Sequence, residues 1–346
     1  MLNNHPSYRE RGASRAGARP GLSLLLSLAT LTCLATGCSG GTSRTASPEP
    51  LAEELRPGRN EFSVMTYNLA LYSFEDRDHD GQHDDPKPED ERQALHDIIV
   101  AASPDILAVQ EIGGRAAWEE FVGELKARGL DYPFHEYLAR REHSRIQANL
   151  AVLSRFPIVS RQSHTNDTYT IKETEGISVA RGFIDIDIAV RPSYSLRLLV
   201  AHLKSKVFHR LGQTEMRRNE ARLLHKHVRE ALKEDPACNL LVAGDLNDTY
   251  DSRAVREVLG SSDHLLHDLR PRDHVGDTWT HRQRSRDVYS RIDYILVSEG
   301  LLPEVVPSKT RVVRSAEMLT ASDHRALVAV FRAKDEKSSK KDPDKK

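Results

Sequence analysis

The stretch LLVAGDLND, residues 240–248, joins an apolar run to a cluster of carboxylates and amides. Leu240–Ala243 reads as a buried β-strand, and Gly244 is followed by Asp245 and Asn247. Asp and Asn are common where strands end, because their side chains bond nearby backbone groups, so an ordinary turn also explains this stretch. Whether the polar tip is functional therefore depends on how the other strands of the chain end.

The composition is that of a soluble globular protein with one large or two small α/β domains. The chain has 346 residues, of which 38% are hydrophobic and 29% are charged. Its net charge of −1 argues against attraction of nucleic acid by the whole surface, although it does not exclude a local basic groove.

The first forty residues have the pattern of an export signal. Arginines within residues 9–19 precede the apolar run Leu22–Leu34, which is too short to span a bilayer comfortably. The sequence LATGC, residues 34–38, resembles the lipobox of bacterial lipoproteins. That resemblance implies that Cys38 is acylated and anchors an exported envelope protein, and Ser39 favours the outer membrane or periplasmic face over the inner membrane. An ordinary signal peptide followed by secretion is the alternative.

Composition also divides the rest of the chain. With Cys33 in the signal and Cys38 acylated, Cys238 has no partner, so we expect a domain without a disulfide that is stabilised by its core alone. We find no internal repeat and expect a monomer. The predicted segments are a signal peptide (1–37), a flexible tether (38–60), one domain (61–333) and a disordered charged tail (334–346).

Strand-like and helix-like patterns alternate within the domain, which favours an α/β fold. Helices are predicted from the stripes Leu95–Ala102 and Trp118–Leu125, and from the pattern over Gln213–Lys233. The alternation in Phe183–Val190 predicts a half-exposed strand with its isoleucines on one face. The predicted strands are 62–68, 106–110, 148–154, 183–190, 196–202, 240–243, 292–297 and 326–331.

Several of these strands end, or begin, at a polar side chain. Any one of them has an ordinary explanation as a turn or a solvated end, but so many in the same position predict a single rim of carboxylates, amides and histidines. Such an oxygen-rich rim suits Mg²⁺ or Mn²⁺, because hard cations prefer carboxylate and amide oxygens. The residues concerned are Asn68, Glu111, His202, Asp245, Asn247, Asp293, Asp323 and His324.

The order of the short motifs YN, QE, H-L, GDLND, RIDYIL and SDH between Phe62 and Phe331 resembles the endonuclease/exonuclease/phosphatase superfamily. The superfamily includes deoxyribonucleases, sphingomyelinases and inositol polyphosphate 5-phosphatases. The resemblance implies a four-layer α/β sandwich, in which two packed, mainly antiparallel β-sheets are flanked by helices. It also implies hydrolysis of phosphate esters with a divalent metal.

The resemblance further implies a role for each strand-end residue. Glu111 would bind the metal, with Asn68 and Asp323 in or beside its coordination shell. Asp245 and Asn247 would position the attacking water and hold the phosphate, or would bind a second metal. The remaining catalytic residues would be His202, as a phosphate contact, and His324, as a general base or phosphate contact oriented by Asp293.

Other residues are weaker candidates. Lys204, Lys206 and Arg291 are candidate phosphate contacts, and Trp279 either stacks on a substrate base or belongs to the core. The basic stretches ARREHSR (139–145) and HRQRSR (281–286) would form a positive funnel if they fold over the site, or would be ordinary solvated loops. The acidic loop with Asp76, Asp78 and Asp80 resembles the start of a Ca²⁺ loop, but Lys87 stands where the bidentate Glu belongs.

Three functions remain open at this point. The first is a metal-dependent phosphodiesterase, most simply a nuclease, acting outside the cytoplasm. The second is a phospholipid phosphodiesterase or an inositol-phosphate-type phosphatase, for which Phe74 and Phe208 are the obvious exposed apolar candidates. The third, from another class, is an envelope binding protein without catalysis.

Overall fold

The computed structural model describes residues 55–139, 148–261 and 265–335. Within them the first strand begins at Glu61 and the last ends at Arg332, so the regular structure falls inside the predicted domain. The predicted signal peptide, Cys38, most of the tether, most of the tail and the stretch RREHSR lie outside the described residues. None of the helices in the described part of the chain combines the length and apolarity needed to cross a bilayer.

Strands and helices alternate along the described chain. The strands are β1 (Glu61–Tyr72), β2 (Ile106–Ile112), β3 (Phe134–Leu138), β4 (Asn149–Ser154), β5 (Ile158–Arg161), β6 (Thr168–Ile171), β7 (Thr174–Ser178), β8 (Phe183–Arg191), β9 (Tyr194–His202), β10 (Leu240–Asp245), β11 (His267–Asp268), β12 (His281–Gln283), β13 (Val288–Ser290), β14 (Asp293–Val297), β15 (Arg311–Val312) and β16 (Leu327–Arg332). The α-helices are α1 (Glu89–Ala102), α2 (Arg115–Ala127), α3 (Gln213–Glu234), α4 (Arg253–Leu259) and α5 (Met318–Ala321).

Two six-stranded sheets form the centre of the domain. The first has the strand order β15-β16-β1-β2-β4-β3, and the second has the order β11-β14-β10-β9-β8-β5. Each sheet contains one parallel pair at its centre, β1 with β2 and β9 with β10, and its other neighbouring strands are antiparallel. This arrangement confirms the predicted mainly antiparallel sheets.

Three hydrophobic clusters separate four layers. The sheets bury one cluster between them, which includes Val64 on β1 and Leu241 on β10. The outer face of the first sheet packs against α1 and α2, and that of the second sheet packs against α3 and α4. The predicted four-layer α/β sandwich is thereby confirmed.

The predicted strands and three long helices all occur, but β8 is less exposed than its alternation suggested. Its isoleucines do share one face, which lies between the sheets. On the opposite face Asp185 is buried, because Arg197 binds its carboxylate with two hydrogen bonds of 2.9 Å and His164 covers it from the loop after β5. The prediction of a half-exposed strand therefore holds only for the second half of β8.

Candidate active site

The two parallel strand pairs bring four carboxyl ends to one edge of the sandwich. Strands that run parallel end on the same side of their sheet, so Asn68 on β1 lies beside Gln110 on β2, and His202 on β9 lies opposite Asp245 on β10. Asp293, at the start of the antiparallel strand β14, is the other register partner of Asp245. The fold itself therefore assembles most of the predicted rim.

Strand alternation directs these side chains between the two sheets. Leu241 and Ala243 belong to the inter-sheet core, so Asp245, two residues further along β10, points to the same face. The same rule places His202 with Leu198 and Val200 on β9. The polar tips thus continue the buried faces of their strands rather than turning outward to solvent.

Glu111 reaches the site through an irregularity in β2. The register shifts on both sides of this residue, and its backbone has a φ of 62°. A bulge turns a side chain out of the regular alternation, and a positive φ at a non-glycine residue is a strained conformation that is common at functional sites. The Glu111 carboxylate accepts a hydrogen bond of 3.0 Å from the backbone N–H of Leu71, which fixes its orientation.

Asn68 connects the acidic residues of the two sheets. Its Nδ2 donates to Asp245 Oδ2 at 3.2 Å and to Glu111 Oε1 at 3.4 Å, while its Oδ1 accepts from the N–H of Ala70 at 3.0 Å. In this arrangement the amide positions both carboxylates. Its predicted place in a metal shell stays a prediction.

The GDLND turn depends on a glycine at its first position. Gly244 has a φ of 131°, and a Cβ atom there would lie 2.0 Å from the carbonyl oxygen of Ala201 on β9. The absent side chain lets β10 approach β9, which brings Asp245 to 3.3 Å from His202. Asn247, with a φ of 55°, then donates its backbone N–H to Asp245 Oδ1 at 2.7 Å.

His324 and Asp293 form a buried pair. The Nδ1 of His324 lies 2.9 Å from Asp293 Oδ2, and its Nε2 lies 3.9 Å from Asp245 Oδ2. Burial acts to lower the pKa of His324, but the charge and hydrogen bond of Asp293 outweigh it and raise that pKa to about 10. The ring is therefore an imidazolium at neutral pH, with Nε2–H directed into the site.

The pKa values of His202 and Asp245 are shifted in opposite directions. Burial and the charge of Arg181 lower the pKa of His202 well below its usual value, so this ring is neutral and its Nε2 is the nitrogen that faces Asp245. Burial and the negative charge of Asp293 raise the pKa of Asp245 to about 7. The Asp245 carboxylate therefore has a higher proton affinity than an exposed aspartate.

Asp323 lies at the mouth of the site with a histidine that sequence reasoning missed. Burial acts to raise the pKa of Asp323, but the neighbouring His281 and the charge of His324 lower it. The His281 ring lies 4.7 Å from that of His324, and its Nε2 lies 3.7 Å from Asp323 Oδ2. In the sequence, His281 begins the basic stretch 281–286, and only its position two residues after Trp279 distinguishes it from the other residues there.

The donor set fits a divalent cation. Glu111, Asp245 and Asp293 concentrate negative charge at one place, and their mutual repulsion contributes to the raised pKa of Asp245. Asp245 and Asp293 have carboxylate oxygens within 4.8 Å of each other, whereas the His324 imidazolium beside them has no free lone pair for a metal. The Nε2 of His202 faces Glu111 and Asp245 at 3.8 and 3.3 Å, and its buried Nδ1 has no hydrogen-bond partner. Carboxylate oxygens of this kind suit Mg²⁺ or Mn²⁺.

The predicted phosphate contacts lie in three different environments. Lys206 is exposed and 3.5 Å from Asp248, whereas the ammonium of Lys204 bonds to Ser205 and Val207 within the same loop. Arg291 makes a two-pronged ion pair with Asp268, at 3.0 and 2.7 Å. The roles of all three as substrate contacts stay predictions.

Trp279 is half-buried and packs on the guanidinium of Arg325, 4.2 Å from its ring centre. This arrangement shows that the ring supports a buried cation and the loop before His281. The possibility that Trp279 also stacks on a substrate stays a prediction.

The acidic loop brings Asp76, Asp78 and Asp80 together with ligand atoms within 4.8 Å of one another. The loop is braced by its own backbone, because Asp85 accepts the N–H groups of Arg77 and Asp78 at 2.8 and 3.0 Å. Ca²⁺ binding there stays a prediction.

Comparisons with known proteins agree with this geometry. The model of the endonuclease/exonuclease/phosphatase family matches residues 65–324. No curated protein matches the sequence. Among solved structures, the catalytic domain of human Nocturnin with bound sulfate is similar over 80% of this chain and 95% of its own, with a TM-score of 0.56 and 18% identity.

Two further structures show the same fold. Sphingomyelinase C from Streptomyces griseocarneus is similar over 78% of this chain and 99% of its own, with a TM-score of 0.54 and 20% identity. Truncated Caenorhabditis elegans TDP2 is similar over 79% of this chain and 98% of its own, with a TM-score of 0.53 and 21% identity.

Proposed function

The chain belongs to the endonuclease/exonuclease/phosphatase family, whose members are phosphoric ester hydrolases, and we propose that it is a divalent-metal-dependent phosphodiesterase acting on nucleic acid. One observation carries the proposal. The Asp293–His324 pair, the neutral His202 and the basic carboxylate of Asp245 meet beside Glu111 at one edge of the two packed sheets. Carboxylates and imidazoles in this arrangement can supply the proton transfer and the charge stabilisation that hydrolysis of a phosphate ester requires.

In the proposed mechanism Asp245 accepts a proton and His324 stabilises negative charge. With a pKa of about 7, Asp245 can take a proton from the attacking water at neutral pH, and Asn247 holds the Asp245 carboxylate in place. The imidazolium of His324 donates from Nε2 to a phosphoryl oxygen, and Asp293 keeps the ring oriented and charged. His202, being neutral, contributes a hydrogen bond without adding a positive charge.

The chain's own residues would hold the cation on the Glu111 side of the site. Glu111, whose side chain remains partly open to solvent, is the first candidate ligand, and Asn68 contacts it. Asp323, beside His324, is the further candidate ligand. When bound, a divalent cation would supply polarisation of the phosphoryl oxygen and neutralise its charge.

The loop after His202 supports nucleic acid as the substrate class. Lys206 is exposed, and the neighbouring Phe208 is 82% exposed. A cation beside an exposed aromatic ring is suited to a backbone phosphate and a stacked base of single-stranded nucleic acid. The export pattern ending at Cys38 supports a membrane-anchored location outside the cytoplasm.

The same loop favours a second candidate, a phospholipid phosphodiesterase. Val207 and Phe208 are 71% and 82% exposed, and such an apolar pair can enter a lipid surface. Phe74, by contrast, packs against the core behind the first sheet. The similarity to a sphingomyelinase C adds support to this candidate.

Substrate panels with matched variants test the proposal. Purified protein is given bis(4-nitrophenyl) phosphate, 4-nitrophenyl phosphate, single-stranded DNA, RNA and sphingomyelin vesicles, each with Mg²⁺, Mn²⁺ or EDTA. We expect metal-dependent cleavage of diesters, fastest on nucleic acid, and a fall of about 10²–10⁴-fold in His324→Asn.

The control is His267→Gln, which removes a surface histidine that is paired with Glu299. We expect it to leave the rate unchanged. A preference for vesicles that is lost in Phe208→Ser selects the phospholipid candidate. If folded protein hydrolyses none of these substrates, the result contradicts both candidates and favours an envelope binding protein.

A further inference from the structure

Two charged side chains of α3 are buried against the ends of the strands that carry the candidate active site, although neither belongs to the proposed catalytic set. Arg217 and Glu220 lie three residues apart on one face of the helix, and they are 3% and 0% exposed. Buried charges are costly unless hydrogen bonds satisfy them, so the groups that these two side chains bind indicate what they do.

Glu220 holds the backbone on both sides of the β8–β9 pair. One of its carboxylate oxygens accepts the N–H of Lys204 at 2.6 Å, and the other accepts the N–H of Ala180 at 3.0 Å. Lys204 follows His202 by two residues, and Ala180 precedes β8, the antiparallel neighbour of β9. A single carboxylate therefore fixes both chain segments that border the end of the strand carrying His202.

Arg217 joins the same loop to the GDLND turn. Its Nη1 donates to the carbonyl oxygens of Lys204 and Ser205 at 3.0 and 3.4 Å, while its Nε and Nη2 lie 3.0 and 2.9 Å from Asp248 Oδ2. The guanidinium is a rigid planar group with five N–H donors, so it can bind both loops at a fixed separation. The backbone of Lys204 is thus held at its N–H by Glu220 and at its carbonyl by Arg217.

The two loops that α3 holds also bond to each other inside the cleft. Asn247, which precedes Asp248, donates from Nδ2 to the carbonyl of Leu203 at 3.0 Å, and the N–H of Leu203 donates to the carbonyl of Asp245 at 3.0 Å. A shift of either loop would therefore change the distance of 3.3 Å that separates His202 from Asp245.

We propose that Arg217 and Glu220 are positioning residues, which fix the separation between the loop after His202 and the GDLND turn. They act on the rate through the backbone that carries the catalytic side chains. The inference rests on the proposed phosphodiesterase activity, because it concerns the geometry of the same site. Catalysis depends steeply on such geometry, since a displacement of about 1 Å can lower a rate about 10²-fold.

Glu220→Gln is the first test. The change keeps the size of the side chain but replaces one acceptor oxygen by an NH₂ group, so only one of the two backbone N–H groups keeps its acceptor. The matched control is Glu304→Gln, because Glu304 is also a buried carboxylate but accepts from the hydroxyl of Tyr194, at the opposite end of β9 from His202. On bis(4-nitrophenyl) phosphate we expect Glu220→Gln to lower kcat about 10–100-fold with little change in KM, and the control to keep the wild-type kcat.

Arg217→Lys is the second test. Lysine keeps the positive charge, but a single ammonium lacks the planar fork that binds Asp248 and the carbonyl of Lys204 at once. We expect a fall in kcat of about the same size, about 10–100-fold. The control is Arg218→Lys at the next position, where the partner is Glu257 on α4, and it should leave kcat unchanged. A wild-type kcat in either test variant, measured on folded protein, would overturn the proposal.

Amide hydrogen exchange tests the positioning without relying on activity. Exchange over residues 203–208 should be at least about 10-fold faster in Glu220→Gln than in the wild type, and unchanged in Glu304→Gln. If the wild type hydrolyses no diester, the proposed function fails and exchange alone decides whether α3 fixes this loop. Faster exchange confined to residues 203–208 would then support the positioning, and exchange equal to that of the wild type would overturn it.

Discussion

Replacing Gly244 by Ala tests whether the approach of β10 to β9 builds the active site. The new Cβ would lie 2.0 Å from the carbonyl oxygen of Ala201, whereas such contacts are almost never shorter than 3.0 Å. The strands must therefore separate locally by about 1 Å, and the same pair of strands holds Asp245 at 3.3 Å from His202. The φ of 131° adds backbone strain for any residue with a side chain.

These two effects set the expected magnitudes. A displacement of about 1 Å at a catalytic group can lower the rate about 10²-fold, and strained backbone of this kind costs about 1–3 kcal/mol. We expect Gly244→Ala to lower kcat on bis(4-nitrophenyl) phosphate by about that factor. Its free energy of unfolding in urea should fall by at least about 1 kcal/mol.

The matched control is Gly123→Ala in α2, where a Cβ would meet nothing within 4 Å. Alanine favours a helix interior over glycine by about 0.5–1 kcal/mol, so this variant should be slightly more stable and fully active. Wild-type kcat in Gly244→Ala, measured on protein that folds as well as Gly123→Ala, would refute the claim that this close approach positions Asp245.

Three further predictions concern single side chains. Burial, with the charges of Arg128 and Arg92, lowers the pKa of His96 to about 4, so the unfolded chain binds the extra proton first as the pH falls below about 6.5. Because of this shift, the wild type should lose about 3 kcal/mol of unfolding free energy between pH 6.5 and 4, as measured in urea titrations. His96→Gln should lack this part of the pH dependence. Parallel pH profiles for the two proteins would refute the role of His96. Asp293→Asn should lower the pKa of His324, which can be measured by NMR titration, and should reduce kcat about 10²–10⁴-fold with little change in KM. An unchanged pKa of His324 would contradict its pairing with Asp293. Asp273→Ala leaves the buried guanidinium of Arg325 without its carboxylate, so it should lower the free energy of unfolding in urea by about 3–5 kcal/mol. The control Asp287→Ala, which removes an exposed ion pair with Arg282, should lower it by less than about 1 kcal/mol. Equal losses in the two variants would show that the buried pair is unimportant.

The strand-end residues could be predicted because period-2 alternation fixes the face on which a side chain lies. In β10 the apolar positions Leu241 and Ala243 determine the direction of Asp245, and the sequence contains all three. Which strands run parallel is not encoded locally. The meeting of Asn68 with Asp245 across two sheets therefore needed either the structure or the resemblance to a family.

Other parts of the site depend on features without a local pattern. Glu111 reaches the cleft through a bulge and a positive φ, which alternation does not predict. Arg291 reads as a free cation in the sequence, but its carboxylate partner Asp268 lies on a neighbouring strand. His281 reaches His324 because the backbones of these two residues form an isolated bridge across distant segments.

The dependence of diester hydrolysis on Glu111 and a divalent cation tests the central claim most directly. Initial rates on bis(4-nitrophenyl) phosphate are measured against Mg²⁺ and Mn²⁺ concentration for the wild type and for Glu111→Gln, which keeps the size of the side chain and removes its charge. We predict a saturable metal requirement in the wild type, abolished by EDTA, and a rate at least about 10²-fold lower in the variant. Equal rates in both proteins, or hydrolysis that persists in EDTA, would contradict the assignment of this cleft as a metal-dependent phosphodiesterase site.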